Sequence, residues 1–230
     1  YRQIAKESPQ TSNRLVMGPW THGGWSRGDG SRVGNVDFGQ KTGEYYREQI
    51  EFPFFAQVLK DKKVRTVPAA SIFETGTNRW REFDAWPPAS VAPRRFHFAA
   101  GGALSEAAPA EADAFDQYVS DPSRPVPYVG HVQMGMQRDY MTEDQRFAAT
   151  RPDVLVYQTP PLEEDLTVLG PIEVTLHVSP TGTAADFVVA ESPYSASKIA
   201  GEALVYSYGE CYELPYLVFR FSNVYGRYDD

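Results

Sequence analysis

The chain has 230 residues, a net charge of −8, and 14 Tyr, 13 Phe and 4 Trp. This length allows one large or two small domains, and the aromatic content favours a packed globular protein over a disordered one. Without a basic run, neither nucleic acid nor an anionic membrane is an expected partner. The single cysteine, Cys211, excludes an internal disulfide. Localisation therefore stays open between the cytoplasm and a periplasmic or secreted setting.

No stretch approaches the roughly 20 apolar residues of a membrane-spanning helix. The sequence opens at Tyr1 without the features of a signal peptide, which is typical of a fragment or a processed form.

The first informative stretch is Leu15-Val-Met-Gly-Pro-Trp-Thr-His-Gly-Gly24. A short apolar run ends at Gly18 and Pro19, and His22 follows on a loop flanked by glycines. This pattern predicts a strand end that presents an imidazole. Histidine titrates near neutral pH, so His22 is a candidate general base. A histidine that only hydrogen-bonds within a turn is the simpler alternative.

A helix is predicted from Thr42 onward, after a loop over residues 26–40 that is rich in Gly and Asp. Tyr45, Phe52, Phe55 and Leu59 recur at helical spacing with charged residues between them, which indicates an amphipathic helix. Pro53 lacks an N–H and should kink this helix.

Short strands separated by turn residues are predicted over residues 70–75, 78–80, 94–99, 154–158 and 172–178. The last of these alternates apolar residues with Glu173, Thr175 and His177, which places His177 on the solvated side. His97 lies between two phenylalanines, so a structural role is expected. Together these segments predict a β-sandwich or jelly roll.

The pattern changes near Val189. Ser192 and Pro193 begin a predicted helix that continues to about Tyr212, followed by a strand over residues 216–221. Helix and strand in this order are typical of a βαβ unit.

Gly24-Trp-Ser-Arg-Gly28 matches the G-x-S-x-G pattern of a nucleophile elbow, but no apolar strand runs directly into it. Ser26 is therefore not predicted to be a nucleophile.

Several motifs resemble the α-amino-acid ester hydrolases, in a wider group with cocaine esterase and the X-Pro dipeptidyl-peptidases. The motifs cover roughly residues 10 to 189 and keep the family's order: Val16-Met-Gly-Pro-Trp-Thr-His-Gly-Gly24, Val36-Asp-Phe-Gly39, Phe52-Pro-Phe-Phe55, Phe73-Glu-Thr-Gly-Thr-Asn-Arg-Trp80, Asp144-Gln-Arg146, Arg151-Pro-Asp-Val-Leu-Val-Tyr157 and Gly170-Pro-Ile-Glu-Val174.

The resemblance implies acyl transfer by a serine, histidine and aspartate triad with His22 as its base. In the family the serine and the aspartate precede the histidine loop, where this chain has only residues 1–21. Ser12, Ser26 and Asp29 lack the context of replacements, so the implied activity is that of a serine hydrolase portion that is inactive alone.

A second resemblance covers only the chain after about residue 190. Ser192-Pro-Tyr-Ser-Ala-Ser-Lys-Ile-Ala-Gly-Glu-Ala203 and Leu217-Val-Phe-Arg-Phe-Ser-Asn-Val-Tyr-Gly226 resemble extended short-chain dehydrogenases, the nucleotide-sugar epimerases and dehydratases. This resemblance implies a catalytic Tyr194, with Lys198 and Asn223 contacting NAD and substrate. No glycine-rich dinucleotide loop follows a strand, which leaves NAD without a phosphate site.

The sequence thus predicts a mixed α/β chain in three parts: the end of an α/β-hydrolase domain (residues 1–63), a jelly-roll β-sandwich (64–189) and an epimerase-like helix and strand (190–230). The favoured function is hydrolysis of a small ester or amide without a cofactor or metal. An NAD-dependent epimerase or dehydratase fragment and a non-catalytic binding module remain alternatives. An open sheet edge and an uncovered apolar face predict a homo-oligomer.

Overall fold

A computed structural model describes residues 1–111, 113–127, 129–132, 134 and 141–182. The predictions for the segment from residue 190 onward, including Tyr194, Lys198 and Asn223, lie outside the described residues.

The described helices are α1 (Arg2–Glu7), α2 (Thr42–Tyr46), a π-helical turn (Arg47–Glu51), α3 (Phe52–Lys60), a 3₁₀ turn (Ala100–Gly102) and α4 (Arg146–Ala149). The strands are β1 (Leu15–Met17), β2 (Arg32–Val33), β3 (Val36–Asp37), β4 (Ala70–Glu74), β5 (Arg79–Phe83), β6 (His97–Ala99) and β7 (Ala103–Ser105).

The largest described sheet has the strand order β1-β4-β5. Strand β1 pairs in parallel with β4, with Val16 opposite Ser71, and β4 pairs with β5 in an antiparallel hairpin. Parallel strands need a long crossover, which α2 and α3 provide. The predicted domain boundary between residues 63 and 64 falls within this sheet, because β1 lies before it in the chain and β4 and β5 lie after it. The rest of the domain division stays a prediction.

The helix predicted from Thr42 is confirmed, and its geometry changes at Pro53. The π-helical turn ends at Glu51, directly before Pro53 in the first turn of α3. Because Pro53 has no N–H, it cannot bond the carbonyl oxygen of Gln49 four residues earlier. The Arg65 guanidinium donates to that oxygen instead, with Nη1 at 2.7 Å.

The apolar face of this helix is mostly exposed. Phe52, Phe55 and Leu59 are 62%, 50% and 71% exposed, respectively, whereas Ile50 and Ala56 are buried. The predicted spacing is therefore correct, but the stripe that it creates meets solvent.

The core lies beneath the loop that carries His22. Phe38 and Phe73 pack edge to face with ring centroids 5.5 Å apart, and Phe73 packs at the same distance on Trp80. Trp20, which is 4% exposed, also packs on Trp80, with ring centroids 5.8 Å apart. Val33 completes the buried cluster.

The C-terminal described part contains less strand than predicted. The β6–β7 hairpin is present, and the segment predicted over residues 154–158 is reduced to a bridge between Gln158 and Ala103. The strand predicted over residues 172–178 is wrong for this structure, since no described segment hydrogen-bonds alongside it and every residue in it is exposed. Alternating polarity cannot form a strand without a neighbour to supply hydrogen bonds. His177 is exposed as predicted, and His97 is partly buried.

In the described part of the chain, every helix is too short or too polar to cross a membrane.

Candidate active site around His22

His22 lies on an exposed turn a few residues beyond the end of β1. Its imidazole contacts Trp25 edge to face, with ring centroids 6.1 Å apart. The predicted position, at a strand end and open to solvent, is confirmed. An imidazole placed in this way is accessible from solvent.

Trp20 anchors the start of this loop. Its indole is buried, and a Cβ on Gly18 would come closer than 3.0 Å to the ring, so only glycine fits at residue 18. The Trp20 Nε1 donates to Oγ1 of Thr42 at 2.8 Å. The Thr42 hydroxyl in turn donates to the carbonyl oxygen of Gly30 at 2.6 Å. One fully buried hydroxyl thus links both ends of the His22 loop to the start of α2.

The N-terminus of α2 holds the far end of the loop. The Gly43 N–H donates to the carbonyl oxygen of Asp29 at 2.8 Å, which satisfies one of the free amide groups at a helix start. Gly30 has a φ of +72°, and a side chain there would collide with the Gly43 backbone. Arg47 then donates to the carbonyl oxygen of Trp25 at 2.8 Å, and this fixes the middle of the loop.

Neither Ser12 nor Ser26 hydrogen-bonds His22 in the described part of the chain. The Ser26 hydroxyl donates to the carbonyl oxygen of Gly23 at 3.0 Å, as in a simple turn, and Ser12 is exposed. Among the described residues, none hydrogen-bonds the His22 imidazole. The predicted rejection of the G-x-S-x-G match at Ser26 agrees with this geometry.

Asp29 is engaged elsewhere and is unsuited to orient the imidazole. Its carboxylate accepts the Ser31 N–H at 3.0 Å and the Ser31 hydroxyl at 2.9 Å. These two hydrogen bonds, led by the one from the backbone N–H, lower the pKa of Asp29. A carboxylate that closes its own turn contributes to loop shape.

A small cavity of about 230 Å³ lies against the loop, lined on one side by Trp20 and Thr21 and on the other by residues 27–33. Its wall includes the guanidinium-bearing residues Arg27 and Arg32. Within the described ranges, no group of three or more His, Cys, Asp or Glu residues could hold a metal ion.

The sequence did not single out Thr42 or Arg47 as supports of the His22 loop. A threonine at a predicted helix start was the available signal, since such residues commonly bond to nearby backbone groups. Their bonds to residues 12 to 22 positions earlier depend on the tertiary fold and leave no local pattern.

Comparison with known proteins gives the family. The model of the family described as "X-Pro dipeptidyl-peptidase C-terminal non-catalytic domain" matches residues 62–209, which are more than half of the chain. This chain belongs to that family. The match begins after His22 and extends past the predicted change near Val189.

Relatives of the X-Pro dipeptidyl-peptidase group include esterases. Cocaine esterase from Rhodococcus sp. is 28% identical over 186 residues, which are 76% of this chain and 32% of the esterase. A putative serine esterase of Mycobacterium bovis is also 28% identical, over 77% of this chain and 27% of that protein. The chain thus spans about a third of the length of these relatives.

Solved structures are also similar to this chain in fold. An aminopeptidase from a marine sediment Thaumarchaeota archaeon is 35% identical with a TM-score of 0.63, over 71% of this chain and 28% of that one. An α-amino-acid ester hydrolase is 36% identical with a TM-score of 0.62, over 73% of this chain and 29% of that one. The resemblance to this group of esterases and peptidases is confirmed, and a β-sandwich-like domain fits the family match.

Proposed function

We propose that this chain is the C-terminal portion of a serine hydrolase that acts on small acyl esters or amides, and that His22 is its general base. The observation that carries the proposal is an exposed imidazole at a strand end, on a loop held by a buried hydrogen bond from Trp20 and a half-buried one from Thr42. The esterases and peptidases among its relatives support the reaction class.

In the proposed reaction, His22 takes the proton from a serine hydroxyl as that oxygen attacks the acyl carbon. The protonated imidazole then gives the proton to the leaving alcohol or amine, and an acyl-serine remains. Water, activated by the same imidazole, releases the acid. An aspartate beside the imidazole would stabilise its protonated form.

The serine and the aspartate are proposed to come from outside these 230 residues. Ser26 and Asp29, the nearest candidates in sequence, are each committed to a turn. The chain alone is therefore expected to be inactive, in accord with the share of its relatives that it spans.

The first test treats the chain with a fluorophosphonate probe and a chromogenic short-chain ester. Neither labelling nor turnover is expected. A labelled serine would overturn the proposal that the nucleophile lies elsewhere.

The second test restores the missing part. The chain replaces the matching segment of the Rhodococcus esterase, and ester hydrolysis is measured for this fusion and for its His22→Ala variant. We expect hydrolysis by the first, loss of it in the second, and partial recovery with added imidazole. A folded His22→Ala fusion with unchanged activity would contradict the role of His22.

A non-catalytic module that packs against a partner is a second candidate. It is favoured by the match to a non-catalytic domain over residues 62–209, which do not include His22. Activity of the fusion that does not depend on His22 would support it.

A further inference from the structure

One aromatic ring packs against the imidazole of His22. The indole of Trp25 meets it edge to face, with ring centroids 6.1 Å apart and an angle of 77° between the ring planes. His22 is exposed, whereas Trp25 is half-buried. In the part of the chain that the structure describes, no hydrogen bond holds the His22 side chain. The contact with Trp25 is therefore the described interaction that restricts rotation of the imidazole.

The backbone between the two rings is closed by short turns. The Gly24 N–H donates to the carbonyl oxygen of Thr21 at 2.8 Å, and the Ser26 N–H donates to that of Gly23 at 3.2 Å. A Cβ on Gly24 would lie 3.0 Å from the Thr21 oxygen and 3.1 Å from the Cβ of Trp20, so the turn is tightly packed. This compact backbone keeps the imidazole and the indole close to each other.

Arg47 holds Trp25 from outside these turns. Its Nη1 donates to the Trp25 carbonyl oxygen at 2.8 Å. Arg47 begins the π-helical turn, and its own N–H donates to the carbonyl oxygens of Gly43 and Glu44. The helix therefore sets where Trp25 lies, and the indole in turn limits the orientations that the imidazole can take.

We propose that Trp25 is a positioning residue for the His22 imidazole, an inference that rests on the proposed hydrolase function. An aromatic pair of this kind favours its contacting arrangement by a factor of about two to ten. A general base must lie within hydrogen-bond reach of the proton that it abstracts, so an imidazole that is turned away is inactive. Trp25 thus raises the fraction of molecules in which His22 can act, without contacting the reacting atoms itself.

Nuclear magnetic resonance of the full chain tests the contact independently of activity. Nuclear Overhauser effects between imidazole and indole protons are expected. Trp25→Leu should shift the ring resonances of His22, because the ring current of the indole is lost. Trp86→Leu is the matched control, since Trp86 is also half-buried but packs against Phe83. The absence of a cross-peak between the two rings, or equal shifts in both variants, would overturn the proposal.

Kinetics of the fusion with the Rhodococcus esterase test the effect on catalysis. Trp25→Leu should lower kcat about two- to tenfold with KM unchanged, because the imidazole acts in the chemical step and not in substrate binding. Trp25→Phe keeps an aromatic ring and should recover most of the loss.

The His22→Ala fusion separates failure of this proposal from failure of the proposed function. Hydrolysis that is lost in His22→Ala but has an unchanged kcat in Trp25→Leu would overturn the role of Trp25 and leave the proposed function in place. A raised KM alone in Trp25→Leu would overturn that role as well, and would assign the indole to substrate binding. Unchanged activity in both variants would overturn both proposals.

Discussion

The Nε1 of Trp20 donates a hydrogen bond of 2.8 Å to Oγ1 of Thr42, and both groups are buried. The bond joins the start of the His22 loop, just beyond β1, to the helix that follows the loop. Since Thr42 also donates to Gly30, one hydroxyl satisfies a buried donor and a half-buried acceptor.

Thr42→Val should therefore destabilise the fold. The substitution keeps the shape of the side chain but leaves the Trp20 N–H and the Gly30 carbonyl without their partner. Each unsatisfied buried group costs about 1–3 kcal/mol. Urea unfolding followed by tryptophan fluorescence measures the loss. Thr42→Ser keeps the hydroxyl and should recover most of it; equal loss in both variants would assign the effect to packing.

Gly18→Ala should destabilise the chain by steric conflict. A Cβ at this position would come closer than 3.0 Å to several atoms of the Trp20 ring, which is itself fixed in the core. Overpacking of this kind typically costs about 1–3 kcal/mol. The near-ultraviolet circular dichroism of the tryptophans should change along with the unfolding midpoint.

Gly28→Ala is the matched control for that substitution. Gly28 has a φ of +77°, but nothing lies within 4 Å of the added Cβ. The only expected loss of stability is the cost of about 1–2 kcal/mol for alanine in a left-handed backbone conformation. The tryptophan signal should not change. A tryptophan signal altered equally in both variants would argue against the conflict with Trp20.

Arg47→Met should loosen the His22 loop without unfolding the sheet. The substitution removes the bond from the guanidinium to the Trp25 carbonyl oxygen, so amides of residues 22–31 should exchange faster with deuterium. Amides of β4 should keep their protection. Arg79→Met, at an exposed position on β5, is the control; similar loop exchange in both variants would contradict the prediction.

Ionisation of Tyr46 is expected to lower the stability of the folded chain in strong base. Burial, with a smaller contribution from the Glu51 carboxylate, raises the pKa of Tyr46 to about 12. In the unfolded chain its pKa is about 10. The folded state thus holds the phenol proton more tightly than the unfolded state does. The stabilisation that results is fully present below pH 10 and is lost as the pH rises through 12.

Absorbance titration of the phenols and urea unfolding between pH 9 and 12 should show this dependence. Tyr46→Phe should flatten the pH profile in that interval. Tyr118→Phe, at a tyrosine that is 40% exposed, is the control. An unaltered profile in Tyr46→Phe would contradict the prediction.

Local features of the fold and the site could be predicted because they depend on neighbouring residues. Strand β1 ends directly before Gly18 and Pro19, two residue types that interrupt strands, so the loop that presents His22 could be recognised. The helix from Thr42 and the effect of Pro53 follow from the same kind of information.

Features that depend on distant residues could not be predicted. The pairing of Val16 with Ser71 across a long crossover decides which strands share a sheet, and nothing near either residue encodes it. Likewise, apolar spacing predicted the stripe on α3 but not its exposure, since exposure depends on what packs against it. The segment over residues 172–178 alternates like a strand yet lacks a described neighbour.

The parallel pairing of β1 with β4 also has a consequence for the order in which we expect this part of the chain to fold. The β4–β5 hairpin closes over a few residues and can form quickly once it leaves the ribosome. Strand β1 must wait for α2 and α3 to form and return the chain, because contacts of long sequence separation carry the largest loop-closure entropy. We therefore expect the His22 loop to acquire its final shape late in folding, after the hairpin on which β1 docks.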